Sequence, residues 1–316
     1  MKMPETKNNL IDLSIVILNY NAKQFATEAI ESIEKNYLRE VQIGSIEVII
    51  ADNSSTDGSY SAFKKYALVT KIKNFRVVDN EGNIGFSAGN NKGVAYAKGR
   101  YILFLNPDTQ VYPKTLTRMI EFMDNHPEAG AATCKIEIPN GGIDEASHRG
   151  FPTPWNGFTH FSGLEKLFPK SRLFAGYTRG WEDFHRVHTV PAIVGAFLFV
   201  RREVGEKIGW WDEDYFFYGE DLQFCYDIWQ AGYKIYYVPD VKILHYGGVS
   251  SGIKKGSQNI TTASMQTRAL VQNSRFDAMR IFFQKNYSKT YPWIVTWLVN
   301  MGINYLHQKN LSKATV

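Results

Sequence analysis

Cysteine is nearly absent. Cys134 and Cys225 are the only two in 316 residues, and they do not form a CxxC pair. A disulfide framework is therefore excluded, and buried free thiols in a reducing compartment are expected. No uninterrupted apolar run reaches the roughly 18 residues of a membrane span, so no transmembrane helix is expected. The opening MKMPETKNNLIDL has no apolar stretch of the kind a secretory signal carries. No dense Lys/Arg stripe is present and the net charge is only +5. That balance suits work near phosphates or anionic lipid but is no footprint for nucleic acid. GxGxxG is missing, which argues against a dinucleotide-dependent dehydrogenase. Leu18 to Lys23 is not the glycine-rich basic loop that a sugar nucleotidyltransferase needs.

What is present is an alternation of strand and helix signals. Leu13 to Leu18 is a β-branched run ending in Asn19-Tyr20-Asn21, and Lys23 to Asn36 has Phe25, Ala29, Ile30 and Ile33 at helical spacing. Glu47 to Ala51 is a second strand closing on Asp52. Residues 54–59 then supply turn and N-cap types to a helix reaching about Tyr66. Phe75 to Asp79 is a third strand, and residues 83–91 lead into a helix ending near Lys98-Gly99. Tyr101 to Leu105 is a fourth, followed by a helix from near Pro113. This repetition predicts an α/β fold with a mostly parallel, Rossmann-like sheet flanked by helices. Ligands of such sheets sit beyond the carboxyl ends of the strands. Asn19-Tyr20, Asp52, Asn83 and Asn106-Pro107-Asp108 all stand there. Each alone is an ordinary turn residue; four on one edge point to a binding crevice.

The second half is less regular. Residues 139–186 are rich in Gly, Pro and aromatics and read as long loops. Pro191 to Arg201 is apolar around Gly195-Ala196, and WWDEDYFFY (210–218) sets six aromatics among three acids. A helix from Asp221 to Gln230 stops at Gly232, with strands at Lys234 to Val238 and Val241 to Leu244. From Arg275 onward, apolar residues including Trp293 and Trp297 are flanked by Lys285, Lys289, Lys309 and Lys313, with Asp277 the only acid. That pattern fits an amphipathic helix, either at a membrane interface or packed on the domain or a second subunit. The divisions are a tail (1–11), a regular α/β half (12–130), a less regular half (131–274) and a C-terminal helical extension (275–316).

LSIVILNYN, IEVIIADNSSTDGS, EGNIGFSAGNNKG, YILFLNPDTQV, IGWWDEDYFFYGEDL and ILHYGG together resemble the inverting family 2 glycosyltransferases of GT-A fold, in their rhamnosyltransferase-like branch, over about residues 12 to 250. The resemblance implies transfer of a sugar from a nucleoside diphosphate donor with Mg²⁺ or Mn²⁺. It assigns Asn19, Tyr20 and Asp52 to the nucleobase, Asn83 and Gly85 to the donor site and Asn106 to the ribose. Asp108 would bind the metal, with His245 completing its shell or contacting the diphosphate. Asp221 would be the general base, and Glu220 would orient the loop or meet the acceptor. On their own, Glu220 and Asp221 could simply be helix N-terminal acids. Gly195, Ala196, Trp211 and Tyr218 are acceptor-side candidates, with the core as the alternative for the tryptophan. Gln223 and Asp227 depart from the family pattern, which has an acid and an Arg there.

Implied partners are a nucleotide-sugar donor, with dTDP-rhamnose first and UDP-hexose second, and a cell-surface polysaccharide or lipid-linked glycan acceptor. Nucleic acid is not expected. The C-terminal segment would give peripheral contact at the cytoplasmic face of the plasma membrane or a homodimer. The alternative is a glycosyltransferase-like protein that binds without turnover.

Overall fold

The computed structural model describes residues 11–249, 252, 259 and 261–314; all of the expected tail (1–11) except Ile11 lies outside them. The elements run β1 (Leu13–Asn19), α1 (Lys23–Asn36), α2 (Leu38–Ile43), β2 (Ile46–Asp52), α3 (Ser59–Tyr66), β3 (Phe75–Asp79), α4 (Phe86–Val94) and β4 (Tyr101–Leu105). They continue with β5 (Thr109–Val111), α5 (Thr115–Asn125), β6 (Ala129–Glu137), α6 (Pro154–Ser162), α7 (Leu164–Leu167), β7 (His188–Thr189) and β8 (Phe197–Arg201). The chain closes with α8 (Arg202–Ile208), α9 (Glu220–Gln230), β9 (Lys234–His245), α10 (Met265–Asn286) and α11 (Trp293–Ala314).

One sheet runs in the order β3-β2-β1-β4-β8-β6-β9-β5, with β7 on β9. Pairing is parallel across β3, β2, β1 and β4, as the alternation predicts. Beyond β4 it turns mixed: β8 is antiparallel to β4 and β6, while β6 and β9 are parallel. β1, β2 and β4 are buried on both faces because alternate side chains enter different cores. Leu13, Ile15 and Ile17 meet α1 through Ile30 and Ile33, whereas Val16 and Leu18 meet Val94. Burial of each such aliphatic side chain contributes roughly 1.5–3 kcal/mol.

Several elements were not evident in the sequence, among them α2, α8, and α6 and α7 within the span read as long loops. β6 opens on Ala129-Gly130-Ala131-Ala132, which carries no β-branched signal; a Cβ on Gly130 would stand 2.8 Å from Tyr233 Cβ. β9 is one strand across Pro239, because the register slips there: Cys134 pairs with Val238 and Lys135 with Lys242. A bulge is where a sheet accepts proline. β5 is a short strand ahead of the helix expected near Pro113, which forms as α5 from Thr115; it pairs antiparallel with the end of β9, Thr109 opposite His245.

Position 275 falls within α10, whose Ala278, Phe282 and Phe283 are buried in the second core and whose Phe276 is buried against His307 of α11. The seam between α9 and α10 uses the two departures from the family pattern. Gln223 donates to Asp227 (2.8 Å) and accepts from Asn286 (2.8 Å) and the Tyr215 hydroxyl (3.0 Å). No helix among the described residues is long and apolar enough to cross a membrane.

Burial pushes the Asp227 carboxyl up to about 6, against the Gln223 hydrogen bond and with help from the charge of Asp212. A carboxyl raised on folding stabilises the fold while protonated, and that contribution is lost as pH climbs from the ordinary carboxylate range through the raised value. Asp227→Asn should therefore melt higher than wild type, with the Tm difference growing from about pH 4 to about pH 7. Thermal scans across that range decide it; a pH-independent difference would refute the assignment.

Candidate active site

The carboxyl ends of β1, β2 and β4 open onto a cleft of ≈ 110 Å³. Tyr20, Asn83, Gly85, Asn106 and Asp108 all line it, together with Phe216 and Phe217 of the aromatic loop and Thr267, Leu270 and Val271 of α10. Only glycine fits at position 85. Its φ is +89°, and a Cβ would come within 2.7 Å of the Phe216 carbonyl, which accepts from Phe86 N–H at 2.7 Å. A site for a cofactor-sized ligand encloses roughly 300–1,000 Å³, so the wall of α10 and Gly248-Val249 has to move outward to admit one.

Asn19 and Asp52 stand behind this wall rather than in it. Asn19 donates to Asp52 Oδ1 (2.7 Å), and Ser55 fills both Asp52 oxygens through its hydroxyl (2.7 Å) and N–H (2.8 Å). Asp52 is buried and accepts these three hydrogen bonds from Asn19 and Ser55. Asn53, the residue after β2, is buried but lines the cleft; it donates to Gly85 O (3.0 Å) and accepts from Asn80 (2.7 Å). Asn19 Oδ1 is buried with no protein partner.

Asp108 and His245 meet because β5 pairs with β9. His245 Nε2 lies 3.4 Å from Asp108 Oδ1, and its Nδ1 lies 3.2 Å from Asp144 Oδ2. Burial opposes ionisation of Asp108, but the charge and hydrogen bond of His245 and the N–H of Val249 outweigh it and hold the carboxyl below the usual range. An imidazole oriented by a second carboxylate is the arrangement of metal-ligating histidines. Asp108 and His245 therefore fit as two ligands of a divalent cation, the remainder coming from phosphate oxygens and water. Among the described residues no cluster of three or more His, Cys, Asp or Glu could hold a metal unaided. Asp144 was missed in the sequence, since nothing local marks an aspartate that is used about a hundred residues away.

Glu220 and Asp221 open α9 and are both buried. The guanidinium of Arg149 forms an ion pair with Asp221 Oδ2, while Leu222 N–H reaches Oδ1 at 2.8 Å. Glu220 has a buried oxygen without a partner; burial and the charge of Asp221 push its carboxyl up. The pair thus divides its roles, Asp221 carrying charge opposite Arg149 and Glu220 keeping a proton. Gly195 N–H approaches Asp221 at 3.4 Å, and Ala196 O accepts from Asn106 N–H at 3.1 Å. These two residues link Asp221 to the end of β4. Ala196 and Trp211, expected near the acceptor, are core residues instead: Trp211 packs against Phe86, Phe104 and Phe224. Tyr218 is partly exposed, with a positive φ of 69° beside Phe217.

Comparison with known proteins agrees with this architecture. The model for Glycosyl transferase family 2 matches residues 14–184, and that for Glycosyl transferase family group 2 matches 101–306. An N-acetylglucosaminyl-diphospho-decaprenol L-rhamnosyltransferase of Mycobacterium tuberculosis is 28% identical over 219 residues, covering 66% of this chain and 68% of that protein. Rhamnosyltransferase WbbL of Escherichia coli is 28% identical over 174 residues, 52% of this chain and 62% of its own length. The mannosyltransferase PcManGT of Pyrobaculum calidifontis, solved with GDP-Man and Mn²⁺, superposes with a TM-score of 0.54 at 16% identity, covering 93% of this chain and 79% of that one. The fold is GT-A.

Removing Arg149 leaves buried carboxylates with no counter-charge. Arg149→Met should cost about 3–5 kcal/mol in urea unfolding, and Asp221→Asn in the same chain should recover most of it. A loss of about 1 kcal/mol or less, that of an exposed pair, would mean that water already screens the interaction.

Proposed function

The chain belongs to glycosyl transferase family 2, and we propose that it transfers a sugar with inversion from a nucleoside diphosphate donor to a cell-surface polysaccharide or a lipid-linked glycan. dTDP-rhamnose is the first choice of donor, in line with the two rhamnosyltransferases that resemble it, and a UDP-hexose the second. The observation that carries this reading is the joining of Asp108, His245 and Asp144 at the end of β4, connected through Gly195-Ala196 to an ion-paired aspartate at the start of α9.

Asp108 and His245 would hold Mg²⁺ or Mn²⁺, which when bound supplies Lewis-acid stabilisation to the departing diphosphate. Tyr20, Asn83 and Gly85 receive the nucleoside end against a floor kept rigid by Asn19 and Asp52, and Asn106 meets the ribose. Asp221 Oδ accepts the proton of the acceptor hydroxyl as it attacks opposite the leaving group. Arg149 holds that carboxylate in one orientation. As Asp221 is neutralised, one cause of the raised Glu220 value disappears, so Glu220 becomes easier to ionise. The charge facing Arg149 then stays nearly constant during the step. Gly195 and Tyr218 border the acceptor side.

A binding protein without turnover is the alternative raised by Gln223 and Asp227. Both are occupied in the α9–α10 seam, so neither needs loss of activity to explain it. α11 supports contact with the cytoplasmic face of a membrane. Trp293, Trp297, Met301 and Tyr305 recur on one exposed face, while Ile303 is buried and His307 stacks on Phe276 from the other.

The test is a screen of nucleotide sugars for metal-dependent release of nucleoside diphosphate. Asp221→Asn should lower kcat by roughly 10²- to 10⁴-fold, and Asp108→Ala should abolish the metal dependence. Asp144→Asn should weaken Mn²⁺ binding, read by electron paramagnetic resonance, about 10- to 100-fold. Nucleotide binding without release from any donor, with acceptor supplied, would leave the binding protein standing.

A further inference from the structure

The chain between β6 and β8 carries an apolar surface that the site does not use. Trp155, Phe158, Phe161, Leu167, Phe168 and Leu173 are 45%, 57%, 47%, 72%, 49% and 59% exposed. They form one patch: Trp155 Nε1 donates to Leu173 O at 2.7 Å, and the ring of Phe174 lies 6.2 Å from Trp155 and 5.2 Å from Phe168. The tie fixes α6 against the segment after α7 and turns the remaining rings outward. A contiguous exposed patch of this kind marks an interaction surface.

Its charge says what kind. Lys166, Lys170 and Arg172 are exposed around the rings, whereas Glu165, the only acid from 151 to 181, is buried and bound to His160 at 2.7 Å. Exposed aromatics rimmed by cations, with Glu182 and Asp183 at the edge paired to Arg179 and Arg186, fit the headgroup layer of an anionic bilayer. A run of ring contacts through the core leads from the patch toward the start of α11. Phe151, at its root, packs on Trp229 (6.4 Å), Tyr226 (5.2 Å) and Phe282 (6.4 Å). Tyr226 touches Tyr287, and Tyr287 touches Tyr291, two residues before Trp293. Trp229 is itself 58% exposed.

We propose that residues 154–174 are an interfacial docking element for an anionic membrane surface, acting with α11 as a second contact. The root of this element is two residues from Arg149, the partner of Asp221. Docking therefore sets the base at the lipid surface, where a lipid-linked acceptor presents its sugar. That last consequence rests on the transferase reading; docking itself does not.

Co-sedimentation of the full chain tests it, using vesicles of phosphatidylcholine alone and of phosphatidylcholine with an equal part of phosphatidylglycerol. Wild type should bind the anionic vesicles and scarcely the neutral ones. Lys166→Glu/Lys170→Glu/Arg172→Glu should bind roughly 100-fold more weakly, and Trp155→Ser/Phe158→Ser about 10-fold more weakly. Donor hydrolysis and melting of the charge-reversal variant should match wild type, so that a folding defect cannot imitate the effect. The proposal is overturned if wild type ignores anionic vesicles, or if only Trp297→Ser/Leu298→Ser in α11 loses binding. It is also overturned if light scattering shows a dimer that the same substitutions dissociate without vesicles, which would make the patch a protein interface. Vesicle binding without donor hydrolysis would sink the transferase reading and leave docking intact.

Discussion

Everything at the active end of this molecule depends on keeping carboxylates buried at one edge of a sheet. Asp52, Asp108, Asp144, Glu220 and Asp221 are all less than a tenth exposed, and an uncompensated charge in such a place costs several kcal/mol. Each is therefore matched by donors from elsewhere in the chain: Asn19 and Ser55 for Asp52, His245 and Val249 for Asp108, Arg149 for Asp221. Glu220 is the exception, and it meets the cost by holding a proton. The bonds that make the electrostatics tolerable are thus the bonds that join β1 to β2, β5 to β9, and the segment after β6 to α9.

Asp144 and Arg149 deserve to be considered together. They lie five positions apart on either side of a single 3-10 turn, Glu145–Ser147. One orients the imidazole beside Asp108 and the other neutralises Asp221. Displacement of this short stretch would disturb the diphosphate end and the proton-accepting end at once. Asp144 also caps the turn by accepting from Ala146 N–H at 3.0 Å, so local backbone structure fixes the residue that fixes His245. Arg149 is held by its pairing with Ala192 across an isolated bridge, three residues before Gly195, whose N–H faces the same aspartate.

The nucleotide half was readable because its rules are local. Alternating β-branched runs and 3.6-period helices place β1 to β4 within a residue or two, and strand ends identify Tyr20, Asn83, Asn106 and Asp108 as neighbours. What was not readable is contact order. The meeting of Asp108 with His245 needs β5, three residues long, to find the end of a twelve-residue strand interrupted by proline. Arg149 sits in a segment with no periodicity. Thr153-Pro154 did offer a cap and N1 signal for α6, overshadowed by the surrounding glycines and aromatics. Trp211 and Ala196 were drawn toward the acceptor by their neighbours in sequence, although packing against Phe86 and Phe104 takes the indole into the core.

The narrow cleft follows from the same economy of donors. Val249 gives its N–H to Asp108 Oδ2 at 3.3 Å, and its carbonyl accepts from Thr261 (2.8 Å) and Thr262 (3.1 Å) just ahead of α10. The wall that closes over the donor pocket is therefore fastened to the carboxylate inside it. α10 is unevenly anchored: Phe276, Phe282 and Phe283 are buried, while Met265 and Leu270 near its start are 87% and 46% exposed. Opening can be confined to the first turns of α10 and Val249, the weakly packed end, without unseating the Gln223–Asn286 seam farther along the helix. A ligand that gave Asp108 another partner would compete with this fastening, a local exchange of hydrogen bonds rather than a movement of the domain.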